Sequence, residues 1–421
     1  MHDPPVVPHK VHMVGAGGSG MSGLAKLLSQ LGHDVTGSDM KPGRMLDSLR
    51  DVGIETWIGH RPDLIADAEL VVCSSAVPDR DPELEAARDA DVPIWHRPLL
   101  LAAITEATPT IGLAGTHGKT TSTALAVAAL RGIGKDPSFL VGGEIVGLNT
   151  GAHRGSDDPF VLEADEAFGT FRHLDLDGIL ITNIEADHLD HYGSLAALED
   201  AFAQVVGDVS GPRVACIDDA GVRRLANRLD VTSYGFSPDA DWQISDLAHS
   251  PGGVLSFTIS GAQQGVQVTL DKPGAHLAAN ACGVLVLLSE LGYPMDEAAE
   301  ALASFSGVRR RYETRASVRG VAIVDDYAHH PTEVAATIAA AKLSTTGRVI
   351  VIFQPHRYTR TASLGPEFGE PLALADQVIV TSIYAAGEVP IIGVSGRIVA
   401  QSAEAAGADV VYVERLADVS P

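Results

Sequence analysis

The chain has 421 residues, room for about three domains of roughly 150 residues each, and too many for a small scaffold that depends on staples for its core. Fifty-four acidic against 30 basic side chains give a net charge of -24, a poor match to nucleic-acid phosphates or to an anionic membrane surface. With 45% apolar and 20% charged residues, it has the material for buried cores and is no disordered polyelectrolyte.

The N-terminal MHDPPVVPHK lacks a basic stretch followed by an apolar one, so no secretory signal is expected. Cys73, Cys216 and Cys282 lie far apart, in no metal-binding spacing, and read as reduced thiols of a cytoplasmic protein. The most apolar window, Ala281 to Leu288, is far below the roughly 18 residues of a membrane span. No membrane or nucleic-acid partner is expected. Nothing in the residue pattern separates a monomer from a dimer.

Short β-rich apolar runs alternate with Ala/Leu-rich helical stretches, which predicts an α/β fold with parallel sheets covered by helices. The first domain, residues 1–106, has predicted strands at Val11–Gly15 and Leu70–Ser74 and a helix over Ser22–Leu31. The second, 107–306, opens with a strand at Thr110–Gly115. It continues through Phe160–Asp165, Gly178–Ile184, Arg213–Asp218 and the alternating Val254–Ile259, and ends in a helix over His276–Leu291. The third, 307–421, has strands at Val321–Asp326, Arg348–Phe353, Gln377–Ile383 and Asp409–Val413.

Gly15, Gly17, Gly18 and Gly20 sit between a strand and a helix, with Asp39 about 20 residues on. Glycines there let the backbone approach a pyrophosphate at a helix N-terminus. The pattern alone fits NAD and a UDP-sugar equally. A second loop, Gly115-Thr116-His117-Gly118-Lys119-Thr120-Thr121, also joins a strand to a helix. Its amides can cradle phosphates, its lysine can meet the outer ones, and a following hydroxyl can bind Mg²⁺. Leu113 stands where the full phosphate-loop spacing has glycine, so this is a shortened variant.

Two acidic clusters, Glu163 to Glu166 and Glu185 to His191, end the next strands. Carboxyl ends of parallel strands border the ligand crevice, so both clusters should converge on the phosphate loop. Mg²⁺ ligation is the chemistry they suit, and solvated loop acids are the plainer alternative. The third domain concentrates positive charge at Arg309-Arg310-Arg311 and at His356-Arg357-Tyr358-Thr359-Arg360. Arginines three apart can clamp a phosphate or carboxylate together, or serve only surface ion pairs. Pro331, after Asp325-Asp326-Tyr327-Ala328-His329-His330, is placed to start a helix.

In order along nearly the whole chain, GAGGSGMSGLA, GSD, SSA, GTHGKTT, EADE, TNIEADHLDHY, FSGVRRRYE, DDYAHHPTEV, FQPHRYTRT and YAAGE resemble the Mur ligase family. The resemblance implies a Rossmann-like N-terminal sheet for a UDP-sugar, a phosphate-loop ATPase-type central domain and a Rossmann-like C-terminal domain. It implies that Gly15, Gly17, Gly18, Gly20, Met21, Ser38, Asp39, Ser74 and Ser75 serve the UDP-sugar. ATP would fall to Gly115 through Thr121, Asn280, Arg310, Arg311, Asp325 and Asp326, and Mg²⁺ to Thr120, Glu166 and His188. His329, His356, Arg357 and Arg360 would face the acceptor carboxylate, the amino acid and an acyl phosphate, and Lys119, Glu166, His188, His329, Arg357 and Arg360 form the implied catalytic set. Because the arginines and the phosphate loop lie on different domains, closure is expected to bring them together.

Within the family, the lysine-free stretch between Lys135 and Lys272 excludes a carbamylated lysine there, and EADE with Glu333 resembles the alanine-adding branch rather than the murein peptide-recycling one. The implied activity is ATP-dependent joining of L-alanine to UDP-N-acetylmuramate in peptidoglycan precursor synthesis. Departures are Leu277 where the family has Asn, Pro98-Leu99-Leu100-Leu101 where it has a Glu-containing stretch, and an end at Pro421 that reads as C-terminally short. The competing readings are the recycling ligase, an NAD-dependent dehydrogenase built on the first glycine loop, and a nucleotide sensor without ligation.

Overall fold

The structure is a computed structural model and describes residues 6–250, 253–261 and 265–419. Strands β1 (Lys10–Val14), β2 (Asp34–Asp39), β3 (Glu55–Ile58), β4 (Leu70–Cys73) and β5 (Ile94–His96) form a wholly parallel sheet in the order β3-β2-β1-β4-β5. The direction of winding reverses between β1 and β4, which opens a crevice at their carboxyl ends. The glycine loop leaves β1 there, and Ser74-Ser75 leave β4. Helix Ser19–Gln30 buries Met21, Leu24, Ala25, Leu27 and Leu28, the i, i+3, i+4, i+7 stripe of a core-facing helix. It starts three residues before the sequence expectation because Gly18 supplies an extended N-cap.

The second sheet is built around β6 (Thr110–Ala114), followed in sequence by β7 (Pro137–Ile145), β8 (Thr150–His153), β9 (Asp157–Glu163), β10 (Gly178–Ile181), β11 (Arg213–Cys216) and β12 (Thr232–Gly235). Its order over these strands is β12-β11-β10-β6-β9-β7-β8, parallel except for β8. β13 (Trp242–His249), β14 (Leu255–Ser260) and β15 (Gly265–Leu270) extend it. All five residues of β6 are buried, as a central parallel strand covered on both faces requires. β9 and β10 flank it directly, so the two acidic clusters do emerge on either side of the phosphate loop.

The third domain has a hairpin, β16 (Glu313–Val318) and β17 (Val321–Asp325), and a parallel sheet of β18 (Ile350–Phe353), β19 (Gln377–Thr381) and β20 (Val410–Val413) in that order. Its core joins Val334, Ile338, Phe353, Phe368, Leu372, Val378, Val380 and Val399. Helix Pro331–Ser344 begins at Pro331, as expected, and His330 with Glu333 closes a capping box that satisfies amides with no intrahelical partner.

Packing divides the chain into two compact units: residues 1–245, 259–266 and 279–309, and residues 246–258, 267–278 and 310–421. The first sequence-defined domain and most of the second therefore fall in one unit, while residues 246–258 and 267–278 of the second are grouped with the third. Leu140, Ala152, Phe160 and Leu162 of the second domain join the same core as Met13, Leu24, Leu28 and Leu101 of the first, and a Cβ on Gly23 would lie 2.6 Å from Leu140 Cδ1. No helix of the described residues is long and apolar enough to cross a membrane, and the three cysteines are buried and free.

Candidate active site

The phosphate loop turns on two glycines with positive φ, Gly115 (+133°) and Gly118 (+83°), the conformation that side chains other than glycine's disfavour. Asn183, just past β10, fixes its shape. Its carbonyl accepts from Thr116 N (3.1 Å), its Oδ1 from His117 N (2.7 Å), and its Nδ2 donates to His117 O (3.1 Å). Helix Lys119–Gly132 follows at once, so its first amides point back into the loop, the arrangement that receives phosphate. Asn280 lies against the same turn: a Cβ on Gly118 would be 2.9 Å from its Oδ1.

Lys119 Nζ donates to Gly115 O (2.7 Å) and Glu166 Oε2 (2.6 Å) and stands 3.5 Å from Asp165 Oδ1. Burial disfavours its charge, but Glu166 and Asp165 outweigh that and raise its pKa. Glu166 is 1% exposed. Burial pushes its carboxyl up to about 7, against the pull of Lys119 and with the repulsion of Asp165. Its other oxygen, Oε1, is buried and has no hydrogen-bond partner. Burial also raises Glu163, which accepts from Gly142 N (2.5 Å) and from the Thr120 hydroxyl. On the opposite flank His117 Nε2 lies 3.6 Å from Glu185 Oε2.

His188 sits at positive φ (+53°) as the residue before helix Leu189–Tyr192. Asp165 is pushed up by burial but held low on balance by Lys119, Arg97 and His188, so two cations and an imidazole gather on one carboxylate. Thr121 is the second helical residue after Lys119, half-buried. The Asp190 side chain of the same acidic stretch lies outside the described residues.

At the first glycine loop, Gly15 and Ala16 both donate to Ser38 O (2.9 Å each), and a Cβ on Gly15 would be 3.2 Å from Ser74 Cβ. Ser74 Oγ accepts from Ala76 N (3.3 Å), which turns the Ser74-Ser75 segment along the loop. Asp39 accepts from Gly17 N (2.9 Å) and Lys41 N (3.0 Å). Both its oxygens thus brace backbone, whereas the dehydrogenase reading needs this acid for a ribose. Ser38 and Met21 face inward: the Ser38 hydroxyl donates to buried Glu83 (2.6 Å) and the Met21 side chain belongs to the core. Each can meet a ligand only through its backbone.

Sequence reasoning missed Arg97, the first residue of helix Arg97–Glu106. A Cβ on Gly20 would come within 2.9 Å of its Cζ, and the same guanidinium acts on Asp165. It therefore stands between the glycine loop and the acidic cluster, with Nε buried and lacking a hydrogen-bond partner. Only its place just after a strand in a phosphate-binding domain could have flagged it.

In the second unit, Tyr327 organises the basic residues. Arg310 and Arg311 lie over its ring at 4.5 and 5.4 Å, and His329 and His356 pack beside it at 5.0 and 6.1 Å. Burial, His329, Arg360 and Arg357 push the His356 imidazole down to about 4; burial lowers His329 as well, against the pull of Glu333. Arg357, at φ +70°, immediately precedes helix Tyr358–Leu364, which carries Arg360. Asp326 is taken by the amides of Tyr312 and Ala328 (2.7 Å each), while Asp325 ends β17. Leu277 is buried and offers an adenine no polar contact.

A phosphate loop with a buried lysine-carboxylate pair, beside a glycine-loop sheet and with a third domain holding an arginine-histidine island, defines a multidomain α/β nucleotide-binding enzyme. Three family models match it in series: "Mur ligase family, catalytic domain" over residues 10–108, "Mur ligase middle domain" over 113–288 and "Mur ligase, glutamate ligase domain" over 310–420. The chain belongs to the Mur ligase family. It is 42% identical over 412 residues to the UDP-N-acetylmuramate–L-alanine ligase of Acidothermus cellulolyticus, covering 96% of this chain and 86% of that protein. Against the enzyme of the same name from Mycolicibacterium smegmatis the values are 43% over 408 residues, 93% and 85%. The crystal structure of UDP-N-acetylmuramate-alanine ligase MurC from Thermotoga maritima superposes with a TM-score of 0.84 at 29% identity, covering 98% of this chain and 93% of that one. A murein peptide ligase from Psychrobacter arcticus shares the fold, at a TM-score of 0.72 and 24% identity over 97% and 91% of the two chains.

Proposed function

We infer that the chain joins L-alanine to the lactyl carboxylate of UDP-N-acetylmuramate at the expense of ATP, releasing ADP and phosphate, a step of peptidoglycan precursor synthesis carried out in the cytoplasm. It is an ATP-dependent ligase. The observation that carries the reading is the Lys119–Glu166 pair at 2.6 Å, set inside a phosphate loop between two acid-bearing strands of a family whose 42–43% identical members bear this enzyme's name.

The substrate carboxylate attacks the γ-phosphate, giving an acyl phosphate and ADP. The alanine amine then attacks the acyl carbon, and phosphate leaves the tetrahedral intermediate. Two anions must meet in the first step, so positive charge aimed at the transferring group is the main requirement. Lys119 supplies a fixed ammonium, and Arg357 and Arg360 supply guanidiniums. The unpartnered Glu166 Oε1 fits a hard cation, and Thr120, Glu166 and His188 are the residues that would hold Mg²⁺. When bound, Mg²⁺ neutralises charge building on the phosphate oxygens. His329 and His356, both neutral at pH 7, can accept a hydrogen bond from the amine, which must be uncharged to attack. Asn280, beside Gly118, suits the nucleotide base, and Gly15 through Gly20 with Ser74 and Ser75 suit the UDP diphosphate.

The assay is phosphate release from ATP, UDP-N-acetylmuramate and L-alanine. Release should require all three, and equal release without the sugar nucleotide or the amino acid would end the ligase reading. Replacing L-alanine by L-alanyl-γ-D-glutamyl-meso-diaminopimelate should abolish release; the reverse preference would favour the recycling ligase. Arg97→Ala should weaken UDP-N-acetylmuramate binding about tenfold to a hundredfold, the range for one charged hydrogen bond of ~1.5–3 kcal/mol. ATP affinity and melting temperature should hardly move. Calorimetric titration checks this, and an unchanged affinity would remove Arg97 from the site.

A further inference from the structure

Below the first glycine loop, on the sheet face covered by the turn Pro62–Asp67 and helix Pro82–Asp89, three metal-type donors meet and a fourth lies against one of them. His60 Nδ1 lies 3.4 Å from Asp81 Oδ2 and 3.9 Å from Glu83 Oε2, and one donor atom from each of the three falls within 4.8 Å of the others. The fourth is His12 of β1, whose Nε2 faces Glu83 Oε1 at 3.5 Å. His12 is 1% exposed, and this nitrogen makes no hydrogen bond. Glu83 is fully buried and Asp81 is 5% exposed. Two carboxylates and two imidazoles are thus gathered where charge and an orphaned nitrogen are both unfavourable.

The spacing suits an ion. With metal–ligand bonds of about 2.0–2.1 Å, the ligand atoms of a tetrahedral Zn²⁺ centre stand about 3.3–3.4 Å apart. His60 stands 3.4 Å from Asp81 Oδ2 and 3.9 Å from Glu83 Oε2, which small side-chain shifts bring to that spacing, while His12 meets the other Glu83 oxygen, Oε1, at 3.5 Å. The donor groups are also held by hydrogen bonds of the kind that orient metal ligands. Thr36 Oγ1 engages His12 Nδ1 (2.8 Å), Ser38 Oγ and Arg61 N donate to the two oxygens of Glu83 (2.6 and 2.8 Å), and Glu83 N donates to Asp81 Oδ1 (2.9 Å). Burial disfavours a charged Glu83, but His12, Ser38 and the Arg61 amide together lower its pKa. Access exists: the His60 side chain is 31% exposed, and a cavity of about 300 Å³ lined in part by Thr36, Trp57 and Arg61 lies alongside. Mixed nitrogen and oxygen donors favour Zn²⁺ and similar transition ions over Mg²⁺ or Ca²⁺, which want oxygen alone.

We propose that His60, Asp81 and Glu83, with the orphaned His12 nitrogen against the other Glu83 oxygen, form a binding site for a Zn²⁺-class transition-metal ion that braces the glycine loop. The link to the loop is Ser38, whose hydroxyl holds Glu83 while its carbonyl holds the Gly15 and Ala16 amides. The ion would stiffen the floor of the diphosphate crevice without touching the substrate.

The test uses the full chain, stripped with chelator and titrated with Co²⁺ in excess Mg²⁺. One equivalent should bind with the intense visible bands of four-coordinate Co²⁺, be displaced by Zn²⁺, and raise the melting temperature. His60→Ala should weaken it at least about tenfold. Asp81→Asn keeps a good helix N-cap and should do the same with an unchanged metal-free melting temperature. His188→Ala, altered in the phosphate-loop region, should retain the bands. Absence of bands in the wild type, their survival in both His60→Ala and Asp81→Asn, or their loss in His188→Ala would overturn the assignment.

Discussion

Lys119→Met should lower the ligation rate at saturating substrates about a hundredfold to a thousandfold, the effect of deleting one preorganised electrostatic contact to a transferring group. The loss belongs in kcat, because the demand for positive charge is greatest as phosphoryl transfer proceeds. A purely structural lysine would instead lower stability and leave the turnover of folded enzyme alone. The partner carboxyl supplies a second readout. Glu166 stands at about 7 by burial even with Lys119 drawing it down, so removing the ammonium moves it higher and leaves it largely protonated at pH 7. An acid whose folded pKa lies above its unfolded value binds protons more tightly in the native state. Its contribution to stability is therefore present at low pH and lost as pH rises through the folded pKa. Wild type should lose this contribution between about pH 4.5 and 7, and Lys119→Met should go on losing stability above pH 7. Lys119→Met/Glu166→Gln should remove that slope. Melting temperatures from pH 5 to 9 check it, and parallel profiles for the single and double variants would show that the pair is not coupled as the 2.6 Å contact implies.

The parts of this site that were legible in the sequence share one property: each is announced by a contiguous apolar strand followed by its functional residues. Thr110–Ala114, Gly178–Ile181 and Leu70–Cys73 are apolar runs buried on both faces, so the strand, the loop after it and the convergence of the acids could be read directly. β2 and β3 escaped notice because they are not such runs. Asp34–Asp39 has Thr36 and Ser38 on the face that meets His12 and Glu83, and Glu55–Ile58 contributes Trp57 there. A polar network hidden under a sheet carries no hydropathy signal. Arg97 is a single cation whose partners are 68 or more positions away, and its role exists only once Gly20 and Asp165 have been folded around it. The shared core of the first two domains depends likewise on Gly23 admitting Leu140, a contact between residues that no periodicity connects. Asp325 and Asp326 were equivalent as letters, yet the Tyr312 and Ala328 amides claim Asp326.

Gly115→Ala should be the most damaging single methyl group in the molecule's phosphate loop. A Cβ there would lie 2.1 Å from Thr182 Oγ1 and 3.0 Å from both Asn183 N and Asn183 O, at a φ of +133°. The strained backbone costs ~1–3 kcal/mol, and the overlap adds a further ~1–3 kcal/mol. Asn183 cannot retreat without releasing His117 and Thr116, whose amides it holds, so the loop must open and ATP affinity should fall at least about a hundredfold. Gly118→Ala makes a useful contrast. Its Cβ meets Asn280 Oδ1 at 2.9 Å, the end of a side chain that can rotate away, so mainly the φ of +83° is costly and the loss should be smaller by an order of magnitude. Adding Thr182→Ala to Gly115→Ala should recover only part of the defect, since it removes the clash at 2.1 Å but neither the strain nor the Asn183 backbone contacts. Calorimetric ATP titration of the three variants checks this ranking. Equal losses at Gly115 and Gly118 would mean that glycine's freedom of φ alone, and not the wall built by Thr182 and Asn183, shapes the loop.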